Sequence, residues 1–265
     1  MALPTPDVDP VLADLDRRGY ETTRLDGAAT PPAVAAGGDP PNAVTDRPLS
    51  VEPLAEAPPL SVVAALADAA REQRGTLFVA GPDTAERVVD ILSDPFLLVD
   101  DCEAGDTGGS GREDGDSDAG GRSFYAIPDR IHCTDGTLAA TAAADPTWRE
   151  DDETGGVTGD ERPLLLESDG EVLAALESVD ALTCPDPDPE AFPFRYARGD
   201  DKRFHVYGRD REVGTFTSLR AMEGRGFHPV DLPLVPEHHL RENAHLARRW
   251  TVAIVDDGTV EYVTA

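Results

Sequence analysis

Residues 102–122 read CEAGDTGGSGREDGDSDAGGR and contain no large aliphatic or aromatic side chain. Such a stretch cannot bury enough apolar surface to offset the conformational entropy that folding removes. We therefore predict a flexible linker here, which obliges the chain to fold as separate segments on either side. A similar composition predicts a flexible loop at 150–161. The resulting plan is an N-terminal α/β segment over 1–101 and a C-terminal α+β domain over 123–265.

The apolar spacing in the first segment predicts a β-α-β unit. The run TLFVA at 76–80 is typical of a buried strand, and Asp83 begins a helical pattern directly after it. The run PFLLVDD at 95–101 predicts a second strand, parallel to the first. Residues 28–59 contain eight prolines. Because proline fixes φ and lacks a backbone N–H, we expect an irregular stretch there.

The second segment is predicted to be mostly antiparallel, because short apolar runs alternate with Asp-Gly turns. Residues 164–182, LLLESDGEVLAALESVDAL, also echo residues 204–222, FHVYGRDREVGTFTSLRAM, at an offset of 40. Each copy predicts strand, polar turn, strand and a short Ser-capped helix. A duplicated half and a chance echo both remain open. A docked helix and the terminal hairpin WTVAIVDDGTVEYV complete an α+β fold.

The net charge of the chain is −29, because Asp and Glu number 52 and Lys and Arg only 23. Lys202 is the only lysine. This composition resembles that of proteins from salt-in halophiles, in which an acidic, lysine-poor surface keeps the fold soluble, so the acidity describes the solvent and not a basic ligand. Residues 190–265 are nearly balanced, with 11 basic and 12 acidic side chains. We expect a protein partner or an anionic partner to bind to that half.

Two further features predict a cytoplasmic protein. The N-terminus lacks the basic and apolar regions of a secretory signal, and no apolar run approaches the roughly 20 residues that a membrane span needs. The three cysteines are widely spaced and form no C-x-x-C pair, which is typical of reduced thiols.

The segment PEHHLRENAH holds three of the six histidines. Read as one helix, it places His238, Glu242 and His245 on a face opposite Leu240 and Ala247. Imidazole and carboxylate groups at this spacing could bind one metal ion. The alternative, which we favour, is a solvated helix face, because the pattern is not H-E-x-x-H and nearby arginines repel cations.

Two candidates for ligand binding lie where strands of the first segment end. Gly81 and Thr84 open a helix directly after a strand, where helix N-termini bind phosphates and other anions. Asp100 and Asp101 end the next predicted strand, and their carboxylates could hold Mg²⁺. Ordinary helix capping and an exposed strand end are the favoured alternative for both.

The stretch RYARGDDKRFHVYGRDR at 195–211 contains six basic and three acidic residues. On a strand, Arg203, His205 and Tyr207 share the face opposite Phe204 and Val206. Guanidinium, imidazole and phenol groups on one face could stack bases and hold phosphates. The favoured alternative is that they pair with the carboxylates of Asp200, Asp201, Asp210 and Glu212 across a hairpin.

These observations lead to two hypotheses of function. The first is a non-enzymatic binding or regulatory module that contacts its partner through the charge-balanced C-terminal half. The second is a metal-dependent hydrolase of phosphate esters that uses Asp100 and Asp101 or the histidine helix. The sequence identifies no cofactor and no particular partner.

Overall fold

The computed structural model describes residues 5–25, 31–38, 47–99, 122–151, 162–182, 187–240, 244–256 and 258–264. It confirms the α+β class, since helices and mostly antiparallel sheets both occur. The helices are α1 (Asp9–Arg17), α2 (Pro59–Arg71), α3 (Pro82–Leu92), α4 (Leu219–Glu223), α5 (Pro236–His239) and α6 (Ala244–Ala247). The strands are β1 (Glu21–Arg24), β2 (Ala33–Ala36), β3 (Leu49–Pro53), β4 (Gly75–Ala80), β5 (Leu98–Val99), β6 (Ser123–Phe124), β7 (Ala126–Arg130), β8 (Leu138–Thr141), β9 (Thr147–Glu150), β10 (Leu164–Ser168), β11 (Glu171–Leu176), β12 (Phe194–Arg198), β13 (Phe204–Tyr207), β14 (Glu212–Phe216), β15 (His228–Pro229), β16 (Asp231–Pro233), β17 (Trp250–Asp256) and β18 (Thr259–Thr264).

The chain forms two compact units. The described residues of 1–97 and 235–265 make the first unit, and those of 98–234 make the second. Residues 123–265, which the sequence groups into one domain, are therefore shared between the units. The reason is a long-range pairing, because β17 lies beside β4 in the same sheet. Apart from Arg122, the predicted linker 102–122 lies outside the described residues.

The first unit is built on a six-stranded sheet in the order β1-β2-β3-β4-β17-β18. Its three central strands, β3, β4 and β17, are parallel, and the outer strands are antiparallel to their neighbours. All residues of β4 are buried, as expected for a parallel strand covered on both faces. Val11 and Leu15 of α1 pack with Val51 and Leu77 on one face, which ties the first helix to the centre of the sheet.

A β-α-β unit is present in the first unit, but the predicted pairing is wrong. The helix α2 connects the parallel strands β3 and β4, whereas β5, from the run PFLLVDD, pairs with β6 in the second unit. An apolar run shows that a strand is buried but not which strand lies beside it. That choice depends on residues far apart in the chain, and β17 takes the place predicted for β5.

The proline-rich stretch 28–59 differs from the expected irregular segment, because it contains β2 and β3. Leu49 to Glu52 are all buried, and Pro48 and Pro53 lie just before and at the end of β3. At these positions a missing N–H interrupts no central hydrogen bond of the strand. The prolines therefore delimit a central strand instead of preventing one.

The second unit contains two five-stranded antiparallel sheets. The first sheet has the order β11-β10-β9-β6-β5, and the second sheet has the order β14-β13-β12-β8-β15. A further pair joins β16 to β7. Glu150, which the sequence placed in a flexible loop, is the buried last residue of β9, and residues 152–161 of that loop lie outside the described residues.

The two segments that are similar in sequence at offset 40 form hairpins with the same strand register, β10–β11 in the first sheet and β13–β14 in the second. In the first sheet Leu164 is paired with Leu176, and in the second Phe204 is paired with Phe216. The register shifts after Leu166 in the first sheet and after Val206, its equivalent in the echo, in the second. A single helical turn follows each hairpin, at Val179–Leu182 and at α4. The two hairpins are therefore structural repeats, including their bulge.

The predicted terminal hairpin is confirmed, since β17 and β18 are antiparallel, with Asp256 paired with Thr259. The segment PEHHLRENAH differs from the single helix that was expected. The helix α5 ends at His239, and Leu240 has φ −113° and ψ 21°, outside the helical region. The next described helix, α6, begins at Ala244, and Trp250 already belongs to β17.

Candidate functional site

The histidine candidates lie on two short helices. His238 belongs to α5 and is half-buried, whereas His245 belongs to α6 and is exposed. Glu242 lies outside the described residues, so a face shared by all three residues stays a prediction. In the part of the chain that the structure describes, no three His, Cys, Asp or Glu side chains are grouped so that they could hold a metal ion.

The candidates at the strand ends have different outcomes. Asp100 and Asp101 lie outside the described residues, so their proposed role stays a prediction. Gly81 is the N-cap residue of α3, which has no side-chain cap. The hydroxyl of Thr84 donates to the carbonyl oxygen of Ala55 at 3.1 Å and so joins the first turn of α3 to the loop that follows β3. The structure thus gives Thr84 a structural contact, and anion binding there stays a prediction.

On the hairpin β12–β13, His205 and Tyr207 lie on the face that the sequence predicted, whereas Arg203 does not. Val206 is fully buried and packs with Tyr196 and Met222, and Phe204 packs against the same cluster. His205 and Tyr207 alternate with these residues and therefore lie on the opposite face of the sheet. Arg203 precedes β13 in the turn and is exposed, so it is not part of the strand face.

His205 lies between two carboxylates. Its Nε2 is 3.1 Å from Oδ1 of Asp201, and its Nδ1 is 3.0 Å from Oε1 of Glu212. An imidazole donates from both ring nitrogens only when it is protonated. The hydrogen bonds to Asp201 and then to Glu212 accordingly raise the pKa of His205 above its usual range. His205 is therefore paired with carboxylates, which is the alternative favoured from the sequence over a free base-stacking or phosphate-binding face.

The turn that holds Asp201 requires a glycine. A Cβ on Gly199 would lie 2.9 Å from both Oδ1 of Asp201 and Nε2 of His205. Oδ1 of Asp201 also accepts the backbone N–H of Arg203 at 3.0 Å. The absence of a side chain at Gly199 therefore allows the carboxylate and the imidazole to meet. Lys202 completes the turn with a φ of +65°.

Arg195 and Tyr207 lie side by side on the same face. The guanidinium of Arg195 is 5.9 Å from the centre of the Tyr207 ring, and its Nε is 3.3 Å from Oδ2 of Asp135. Arg195 is thus an ion-paired side chain that also stacks near an aromatic ring. The sequence had not assigned Asp135 as its partner, because Asp135 belongs to a loop before β8, far earlier in the chain.

Four exposed arginines lie close to β14 in the chain. Arg209 and Arg211 lie in the turn before β14, Arg220 lies on α4, and Arg225 follows α4. We call these four residues the β14 arginines. All are exposed, and none makes an ion pair with a residue that the structure describes. A count of charges in the sequence does not single out these residues, since it does not reveal which side chains are paired.

Arg122 and Arg149, in the earlier part of the second unit, are each bound to a carboxylate. Arg122 donates to both carboxylate oxygens of the buried Glu150, at 2.6 and 3.0 Å. Arg149 binds both oxygens of Glu167 at 2.6 and 2.9 Å. Arg198, Arg203 and Arg248 are likewise exposed without an ion pair among the described residues, so the feature that distinguishes the β14 arginines is their position on both sides of one strand.

Sequence reasoning also missed a buried carboxyl group in the first unit. Glu52 of β3 is only 4% exposed, and neither its Oε1 nor the hydroxyl of Ser50 has a hydrogen-bond partner among the described residues. Burial, with a smaller contribution from the nearby Asp68, raises the pKa of Glu52 to about 7. The proline-rich surroundings gave no sign that this glutamate would lie in a central strand.

None of the helices in the described ranges has the length and apolar character needed to cross a membrane. Comparisons with protein-family models, with curated proteins and with solved structures gave no match for this chain.

Proposed function

We propose that this protein is a non-enzymatic binding or regulatory module that engages an anionic partner through the β14 arginines. The observation that carries the proposal is that they form no ion pair with any described residue, in a chain of net charge −29. Carboxylates are abundant enough within the protein to pair with arginines, as those bound to Arg122 and Arg149 do. Four exposed guanidinium groups without such a bond are therefore available to a carboxylate or phosphate from outside.

The chemistry of arginine suits this role. The planar guanidinium presents several N–H donors in a fork that matches a carboxylate or phosphate, so one side chain can make two parallel hydrogen bonds. These short contacts remain effective in concentrated salt, where the Debye length falls to about 3 Å and long-range attraction is screened. The acidic, lysine-poor composition supports a working environment of this kind, and we place the protein in the cytoplasm of a salt-in halophile.

The state of His205 supports a binding role over a catalytic one. Both ring nitrogens are held by carboxylates, so the imidazole has no free nitrogen with which to accept a proton from a substrate. The rival hypothesis, a metal-dependent hydrolase, relies on Asp100 and Asp101 or on His238, Glu242 and His245. Asp100, Asp101 and Glu242 lie outside the described ranges, and the hydrolase stays a prediction from the sequence.

The proposal is tested with two labelled polyanions, polyglutamate and a single-stranded oligodeoxynucleotide, by fluorescence anisotropy at about 0.1 M and about 1 M salt. Wild-type protein should bind at least one of them. Changing all four β14 arginines to Gln should weaken that binding by at least about tenfold, since each lost charge-assisted hydrogen bond contributes roughly 1.5 kcal/mol or more.

A matched control removes the same number of charges from the first unit. Arg17, Arg24, Arg71 and Arg74 each form a surface ion pair, and all four are changed to Gln. This variant should bind as wild type does. Absence of binding to both polyanions, or equal weakening in the two variants, would contradict the proposal, because the effect would then reflect net charge alone.

A further inference from the structure

The strand β14 is an edge strand of the second sheet of this unit, so one of its sides has no neighbouring strand among the described residues. Its residues are exposed or half-buried, and Val213 is 40% exposed. An edge of this kind presents unpaired backbone N–H and C=O groups, which can pair with an additional strand. The strand contains no proline and no lysine, the residues that commonly block such pairing.

The hydrogen-bond alternation identifies the outward groups of β14. The N–H of Gly199 donates to the carbonyl of Arg203 at 2.9 Å, which fixes the paired positions of the β12–β13 hairpin. By alternation, Phe204 and Val206 direct their backbone groups towards β14, where they face Phe216 and Gly214. The backbone groups of Thr215, which lies between Gly214 and Phe216, must therefore point away from the sheet.

The equivalent edge of the first sheet is less accessible. The single helical turn at Pro189–Ala191 packs against β11, whereas β13 and α4 are the principal described neighbours of β14. The charges also differ, since the turn before β11 carries Asp169 and the turn before β14 carries Arg209 and Arg211. Of the two repeats, the second offers the more open and the more basic edge.

We propose that the β14 edge binds an extended acidic peptide as an additional strand, an inference that rests on the proposed function. The peptide backbone would pair with Thr215, and its carboxylates would contact the β14 arginines, which precede and follow the strand in the chain. The single carboxylate within β14 belongs to Glu212, whose Oε1 is already bound by His205 and Thr215. This arrangement reduces the repulsion that an acidic strand would otherwise meet.

The test uses a labelled peptide of alternating glutamate and threonine, which combines negative charge with a tendency to form strands. Thr215→Pro removes one outward N–H of β14 together with the hydroxyl that donates to Oε1 of Glu212, and Thr215→Val, which removes only the hydroxyl, measures that second loss by itself. Ala175→Pro removes the backbone N–H at the equivalent position of β11 in the first sheet and is the matched control for the backbone change. Binding is measured by anisotropy, and circular dichroism of all three variants establishes that each retains its strands.

We expect Thr215→Pro to weaken peptide binding by at least about tenfold and Ala175→Pro to change it less than about twofold, because only the first removes a hydrogen bond to the peptide. The same peptide with N-methylated threonines should also bind at least about tenfold more weakly to wild-type protein. This second measurement needs no change in the protein and covers the case in which Thr215→Pro fails to fold.

The outcomes separate the two proposals. If peptide binding depends on the β14 arginines but not on Thr215→Pro or on N-methylation, strand addition is wrong and the proposed function stands. The same conclusion follows if only the single-stranded oligodeoxynucleotide binds through these arginines. If no anionic probe depends on the β14 arginines, the proposed function fails and the inference fails with it.

Discussion

The two sheets of the second unit share a backbone plan and differ in chemistry. Their hairpins have the same register and the same bulge. In the first sheet Arg149 and Glu167 neutralise each other, and Leu165 occupies the position that His205 has in the second. The second sheet places His205 between two carboxylates and leaves the β14 arginines without an ion pair among the described residues. A shared register thus does not determine which charges are satisfied internally.

The largest expected loss of stability comes from removing an arginine that is ion-paired with a buried carboxylate. Arg122→Ala would leave the carboxylate of Glu150 buried without its partner, and we expect a loss of about 3 kcal/mol in the free energy of unfolding. Arg211→Ala, which breaks no ion pair of the described residues, should change stability by less than about 0.5 kcal/mol. Denaturant unfolding followed through Trp148, in a Trp250→Phe background, measures both. Equal losses of stability from the two changes would contradict the difference in ion pairing between the two sheets.

An effect of similar size or slightly smaller should come from the residues at the bulge. Leu166 and Val206 occupy equivalent, fully buried positions directly before the register shift. We expect Leu166→Ala to cost about 3 kcal/mol and Val206→Ala about 2 kcal/mol, since the smaller side chain removes less buried surface. The same unfolding measurement applies. A negligible cost at either position would show that the two repeats do not have equivalent cores.

The smallest expected effect concerns His205 and appears as a dependence on pH. Because the pKa of His205 is raised in the folded protein, its contribution to stability is fully present below the ordinary histidine value of about 6.5 and is lost as the pH rises through the folded value. His205→Leu, which gives the second sheet the residue of the first, should abolish that loss. The pH titration of the His205 ring signals by NMR should show the raised pKa directly.

Glu52 must be removed for this measurement, because its own pKa of about 7 makes stability depend on pH near neutrality. Its pKa rises from 4.5 to about 7 on folding, so ionisation opposes folding increasingly between these values. Glu52→Gln should therefore stabilise the protein above pH 7 by up to about 3 kcal/mol and have little effect below pH 4.5. A pH profile unchanged by His205→Leu in the Glu52→Gln background would contradict the role assigned to the carboxylates around His205.

Much of the local structure was predictable from neighbouring residues. The alternation of Phe204 and Val206 with His205 predicted the buried face of β13, and Ser218 caps α4 as the pattern indicated, accepting the N–H of Ala221 at 3.1 Å. Period and capping depend on residues a few positions apart, so they can be read directly from the sequence. The same reasoning failed at PEHHLRENAH, where helical periodicity did not reveal that α5 ends at His239.

The sequence by itself determined the α+β class and the terminal hairpin, because both are encoded in short-range periodicity. The similarity at offset 40 is visible in the sequence, but only the register of the two hairpins decided that it is a structural repeat. Only the tertiary structure decided that β17 joins β4 and that Glu52 is buried with no partner for its Oε1 among the described residues. It also decided that Arg122 is paired whereas the β14 arginines have no such pair within the described ranges. These properties depend on which distant residues meet in space, and the free energy of such contacts cannot be assigned to any one segment of the chain.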